Sequence, residues 1–297
     1  MIKSFILFIL LVPAIVFAQL TLSPNSNSFY EYHLGSYLEL TSYEVINQKI
    51  YGTGHNYSTT QRALYLKLKN SNNENYQWVL RNLDTNKIIT KSLKPFKQFY
   101  GASVSKIFVA GAYLDSALGQ PSLEGIQHIN NLIVVSSNSS WSALQVILGK
   151  GDENLGRQRV DMFLKRIGIT QSIGYRGYLN GVHGNELNAM DISKFIQASY
   201  DEKYPGSKHL FQTMFLSRTG KLRGKKYLPI KMNVGGKTGT YNGQTTVDGE
   251  ILTAQSNHHT MVFQKKGQQY SLTILSDPGT NEEVAVLSLG ILKQYLD

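Results

Sequence analysis

Ser103, Val104, Ser105 and Lys106 place a hydroxyl and an amine three residues apart, so on a helix both side chains occupy one face. A serine hydroxyl is a poor nucleophile until a base takes its proton. A lysine can be that base only when burial or a second cation has made its ammonium acidic. The pair alone says little, because a helix-capping serine followed by a solvated lysine has the same spacing. Two further groups follow in order: Ser136-Ser137-Asn138 ahead of a helical stretch, and Lys237-Thr238-Gly239-Thr240 after Gly235-Gly236. They add a second hydroxyl, an amide, a second cation and a glycine-bearing strand along which a ligand backbone could lie. The chemistry open to the first pair is nucleophilic catalysis by a serine hydroxyl with a lysine as its base.

In this order the three groups resemble the S-x-x-K, S-x-N and K-T-G elements of the serine β-lactamases and penicillin-binding proteins, and the class A branch fits best. The resemblance covers Tyr76 to Asp297. It implies that Ser103 is the nucleophile, that neutral Lys106 is its base and that Ser136 relays a proton to the leaving group. Asn138 would orient Lys106 and the substrate amide. Lys237, Thr238 and Thr240, with Gly239 between the threonines, would hold a substrate carboxylate, and the N–H groups of Ser103 and Thr240 would form an oxyanion hole. The substrates so implied are β-lactams or cell-wall peptides of the D-alanyl-D-alanine type, with no cofactor.

The class A pattern also needs a glutamate that activates water to release the acyl group, on the loop before the helix that starts near Asn188. Gly168 to Asn185 contains neither Asp nor Glu. Glu186, just beyond, and His183, inside the stretch, are the replacement candidates for a deacylation base. The gap favours a D,D-peptidase-like hydrolase over rapid β-lactam turnover. The alternatives are a class A-like β-lactamase with a substituted base and a penicilloyl-binding sensor without turnover. The interval between Lys106 and Ser136 is shorter than is usual in the family.

Other chemistries find less support. His258 and His259 are adjacent, without the spacing or acidic neighbours of a zinc site, so no metal is expected. There is no cysteine, which excludes disulfides, thiolate nucleophiles and cysteine-ligated metal. The net charge of +10 could signal nucleic acid, but the cations are scattered. Their one dense cluster, Lys221, Arg223, Lys225, Lys226 and Lys231, reads mainly as a solvated basic face, and no nucleic-acid partner is expected.

The elements that must position these residues suggest an α+β fold. Tyr76 to Leu83 and Lys87 to Thr90 flank Asp84-Thr85-Asn86, a hairpin pattern. A helix apolar on all sides, hence central, runs from Ser103 to Leu118. Helices follow at Asn138 or Ser139 to Leu148, Glu153 to Ile167, Ala189 to Tyr200 with Asn188 as its cap, and His209 to Leu216. Period-two patterning then marks strands at Lys231–Val234, Thr260–Phe263 and Tyr270–Leu275, and Thr280 with Glu283 forms a capping box for a last helix through Tyr295. An antiparallel sheet of N- and C-terminal strands, covered by the first and last helices, with a helical subdomain inserted at about 103–216, accounts for the order.

The expected organisation is a signal peptide over 1–18, an N-terminal elaboration over 19–75 and a catalytic domain over 76–297. Lys3, the apolar run Phe5 to Val12 and the small-residue ending at Ala18 form the signal, cut before Gln19. The mature protein is then expected to be secreted or periplasmic, with no membrane span after cleavage.

Overall fold

A computed structural model describes residues 58–70, 74–229, 232–247 and 250–297, with the side chains of 244–247 and 250–254 left aside. The expected signal peptide lies outside the described residues. A first helix, α1 (Thr59–Asn70), precedes strands β1 (Tyr76–Asn82), β2 (Lys87–Lys91) and β3 (Phe99–Tyr100). A 3-10 turn, Ala102–Ser105, leads into α2 (Lys106–Ser116), followed by α3 (Leu123–Val134), α4 (Asn138–Leu148) and α5 (Glu153–Arg166). Short strands β4 (Tyr178–Leu179), β5 (Val182–His183) and β6 (Glu186–Leu187) lie in the connection to α6 (Ala189–Tyr200) and α7 (Ser207–Met214). Strands β7 (Val234–Val247), β8 (Glu250–Lys265) and β9 (Gln268–Ser276), then α8 (Asn281–Tyr295), complete the chain.

The large sheet runs β2-β1-β9-β8-β7 and all its pairings are antiparallel, so N-terminal and C-terminal strands meet where β1 pairs β9. Side chains alternate across it. Val79, Val262 and Leu275 face the core shared with the helical region, whereas Trp78, Leu80, Met261 and Ile274 face the core under α8. α6 is fastened to β1 by polar side chains as well as packing: Arg81 Nε donates to Ser193 Oγ at 2.9 Å, and the Ala189 N–H to Gln77 Oε1 at 3.1 Å.

Several sequence expectations change in detail. The last helix, α8, covers one face of the sheet as expected, whereas the other face is covered by α6 and not by the helix that follows Ser103. α2, buried from Lys106 to Leu114, is instead wrapped by α3, α4, α5 and α7. Its all-round apolar surface is what makes it the axis of the helical part. α3 went unnamed in the sequence. β7 starts at Val234, where the expected strand ended, and β7 and β8 form a much longer ribbon than their apolar positions indicated. The length comes from a run of Gly, Thr, Asn and Gln that carries no hydrophobic alternation. Within the stretch left without a shape, α1 packs on α8: Tyr65 and Leu68 are buried, and the Tyr65 hydroxyl donates to Gln294 Oε1 at 2.5 Å.

The end signals behave as the sequence suggested. Asn188 accepts from the Asp191 N–H at the start of α6, and Thr280 and Glu283 form the capping box of α8.

Candidate active site

Ser103 sits in the tight turn before α2, on backbone held from three directions. The preceding residue, Ala102, has φ of 44°, a left-handed conformation that side-chain-bearing residues enter at a cost. The Gly101 N–H donates to Asn185 O at 2.8 Å, Asn185 Nδ2 donates back to Ala102 O at 2.9 Å, and Ser105 Oγ donates to the same carbonyl at 3.1 Å. β7 passes so close that a Cβ on Gly239 would stand 2.9 Å from Gly101 O. The glycines before and within the third motif therefore admit the protein's own backbone. A Cβ at Gly235 would meet Met214 O at 2.6 Å and one at Gly236 would meet Thr260 O at 2.2 Å. That replaces the expectation that they clear space for a ligand.

Lys106 is fully buried, and its amine reaches the second motif: Nζ lies 2.7 Å from Asn138 Oδ1 and 3.2 Å from Ser136 Oγ, and it donates to Ser136 O. The middle residue of that motif has another task, because the Ser137 hydroxyl caps α4 by accepting from the Ser140 N–H at 3.1 Å. Ser136, at φ of 64°, is turned toward the lysines. Lys237 Nζ, also fully buried, donates to Ser136 Oγ at 2.7 Å and to Thr238 O at 2.9 Å. Among the described residues the Ser103 hydroxyl makes no hydrogen bond.

Burial pushes the Lys106 ammonium down to about 7, assisted by the nearby guanidinium of Arg176. Burial likewise holds Lys237 well below the usual lysine range, with Lys106 and Arg223 adding repulsion. Lys106 and Lys237 repel each other, and Arg176, which the sequence did not single out, is a further cation acting on Lys106. A neutral Lys106 amine has two N–H donors and one lone pair. Ser136 O and Asn138 Oδ1 take the donors, which leaves the lone pair for a hydroxyl proton.

In front of these groups is a cleft of about 340 Å³ lined by Ser103, Asn138, Trp141, Arg176, His183 and Thr240, among others. No lining residue is acidic. His183 stands at the cleft between Tyr178 and Tyr100, at ring distances of 4.6 and 5.9 Å, and its Nδ1 meets Gly184 O at 2.6 Å. Glu186 is exposed on β6, paired with Tyr100, and does not line the cleft. Of the third motif Thr240 lines the cleft, whereas Thr238 is buried.

Sequence reasoning missed Arg223 and Arg176. Arg223, placed by charge density on a solvated face, is buried: Nη1 donates to Gly239 O at 2.7 Å and His258 O at 3.1 Å, Nη2 bonds Thr240 Oγ1 and Nε bonds Asn281 Oδ1. Burial lowers its guanidinium to about 10. Lys225 is buried as well, donating to Ser217 O at 3.1 Å, and Lys226 pairs with Glu282 at 2.5 Å; Lys231 lies outside the described residues. No local pattern distinguishes an inward from an outward cation in such a cluster. For Arg176 there was a signal: it is the single Lys or Arg between Gly168 and Asn185.

His258 has a structural role. Its Nδ1 accepts from the Ser276 N–H at 3.1 Å, so Nε2 carries the proton and donates to Tyr100 O at 2.8 Å; burial keeps the ring neutral by lowering it to about 4.

The architecture has counterparts among solved structures. A β-lactamase from Xanthomonas campestris superimposes with a TM-score of 0.63 at 14% identity, over 80% of this chain and 98% of that one. The TLA-3 extended-spectrum β-lactamase gives 0.62 at 14%, over 80% and 99%, and a β-lactamase from Chitinophaga pinensis 0.61 at 17%, over 78% and 96%. This is the class A-like serine β-lactamase fold. At these identities the likeness concerns backbone architecture. No protein-family model matches the sequence, and no curated protein does. In the β-lactamase fold seen here, the sheet's β7 and the helical part's α2 and α4 converge on Ser136, from residues 101 positions apart in the case of Lys237.

Proposed function

We propose that the protein is an exported serine acyl-enzyme hydrolase acting on β-lactams or on D-alanyl-D-alanine-type peptides, with the D,D-peptidase reaction as its main activity. The observation that carries this reading is the convergence of Lys106 and Lys237 on Ser136 Oγ, at 3.2 and 2.7 Å, beside a cleft lined by Ser103. Ser103 Oγ attacks the substrate carbonyl while neutral Lys106, one helical turn on, takes its proton. The proton passes through Ser136 to the departing nitrogen, the carbonyl–nitrogen bond breaks, and the acyl group stays on Ser103 until water displaces it. Thr240 and Lys237, with Arg223 behind them, receive the substrate carboxylate. N–H groups of Ser103 and Thr240 stabilise the oxyanion.

The peptidase preference rests on the acid-free cleft lining and on the loop that contributes Arg176, a cation unable to act as a base. His183, the other candidate on that loop, remains the proposed base for slow deacylation. Secretion is proposed from residues 1–18; among the described residues no helix is long and apolar enough to cross a membrane.

Intact-mass spectrometry of the mature protein mixed with a penicillin, run beside a D-alanine release assay on a D-alanyl-D-alanine peptide, tests the proposal. A persistent adduct on Ser103 with D-alanine release is the expected result, lost in Ser103→Ala. Rapid, repeated penicillin turnover would move the assignment to a β-lactamase, and a stable adduct without D-alanine release to a penicilloyl sensor.

A further inference from the structure

The cleft has a cation in its lining, Arg176. Arg176 is half-buried, its guanidinium 5.5 Å from the Trp141 ring, and Nη1 donates to Asn138 O and Ser142 Oγ, both at 3.0 Å. Among the described residues, Nε and Nη2 have no hydrogen-bond partner, and no acid pairs with the side chain. The loop that carries it is clamped on both sides. The Arg176 N–H donates to Gln145 Oε1 at 2.8 Å, and Arg157 Nε donates to Arg176 O at 2.6 Å while pairing with Glu153 at 2.8 Å. An arginine fixed this way presents its remaining donors at a set position, which lowers the entropy lost when an anion docks.

We propose that Arg176 is a specificity-determining residue that binds a carboxylate on the acyl part of the substrate, the part that remains on Ser103. This rests on the serine acyl-enzyme reading above. That reading already assigns one carboxylate to the group of Lys237, Thr240 and Arg223. Arg176 belongs to a different element and reaches the cleft beside Trp141 and Asn138, so the preferred substrate carries two anionic groups, one in each of its halves. The same cation suits the base, since its charge helps keep Lys106 neutral. A bound carboxylate would compensate that charge, so the gain is expected in affinity more than in the rate of the bound step.

The test uses two penicillins that differ only in a carboxylate on the carbon next to the side-chain carbonyl, and reads the second-order rate constant for acylation of Ser103. The wild-type protein should react about tenfold or more faster with the carboxylated compound, as a charge-assisted guanidinium–carboxylate contact implies. In Arg176→Gln the ratio of the two rates should fall close to one. Arg176→Lys should retain part of it, and raised salt should shrink the wild-type ratio. The ratio is independent of any general loss of activity in the variants. An unchanged ratio in Arg176→Gln, or no wild-type preference, would overturn the carboxylate site and leave the acyl-enzyme reading intact. Acylation of Ser103 by neither compound would overturn both.

Discussion

Lys106 and Lys237 reach the same hydroxyl oxygen, Ser136 Oγ, from α2 and β7. Two amines around one hydroxyl make a short proton path, in which Lys237 donates to Ser136 Oγ. In this arrangement Ser136→Ala should slow acylation by a penicillin about 100-fold or more, the scale of a lost proton-transfer group. Ser103→Ala should abolish the adduct altogether. Stopped-flow or quenched mass spectrometry separates the two. An effect of Ser136→Ala below about threefold would remove Ser136 from the path.

Acylation should depend on pH through Lys106. The base works only when neutral, and its folded value of about 7 means that the neutral fraction grows as pH rises through that region. The rate constant for acylation should therefore climb between about pH 6 and 8 and then level off. The stability linkage has a related sign. The folded state holds the Lys106 proton less tightly than the unfolded chain does, so stability should rise with pH above about 7. Chemical denaturation at pH 7 and 9, compared with Lys106→Met, checks that slope.

Asn185 ties the acid-free loop to the backbone of the turn that carries Ser103, and its φ of 67° suits asparagine or glycine. Asn185→Gly keeps the backbone conformation and removes only the side-chain bond to Ala102 O. It should lower acylation about tenfold, since a displaced nucleophile is costly to rate. Asn185→Ala should destabilise further, by about 1–2 kcal/mol, because alanine resists the left-handed conformation. Melting curves and acylation rates for both variants make the comparison.

α1 acts on stability through Tyr65. A Cβ added at Gly290 of α8 would come 2.3 Å from the Tyr65 ring. Gly290→Ala should therefore cost about 1–3 kcal/mol by overpacking. The penalty should vanish in a Tyr65→Ala background, a non-additivity that a double-mutant cycle measures. Additive effects would mean that α1 does not press on Gly290.

The sequence carried the three motifs, the helix caps and the strand order far better than the site's electrostatics. Ser103, Lys106, Ser136 and Asn138 were legible because spacing along a helix and its cap is a local property. Lys237 was legible through its glycine-flanked strand, although Gly235, Gly236 and Gly239 were read for the wrong contact. Arg223 was not legible, since its partners, backbone carbonyls of β7 and β8 with Thr240 Oγ1 and Asn281 Oδ1, are brought to it by the tertiary fold. The cover of the sheet was assigned to α2 from the order of the elements, whereas the tertiary fold brings α6 there. β8 was shortened because its first half shows no alternation of apolar and polar residues in the sequence.

Arg223 is a cation removed from water, and among the described residues it forms no ion pair with a carboxylate. A protein built this way treats an incoming anion as its missing counter-ion. Occupancy of the cleft is then coupled to the whole folding equilibrium: a carboxylate ligand at a hundred times its dissociation constant raises the unfolding free energy by about 2.7 kcal/mol. The melting temperature in different buffer anions becomes a readout of how well each one imitates the substrate, available before any substrate has been found.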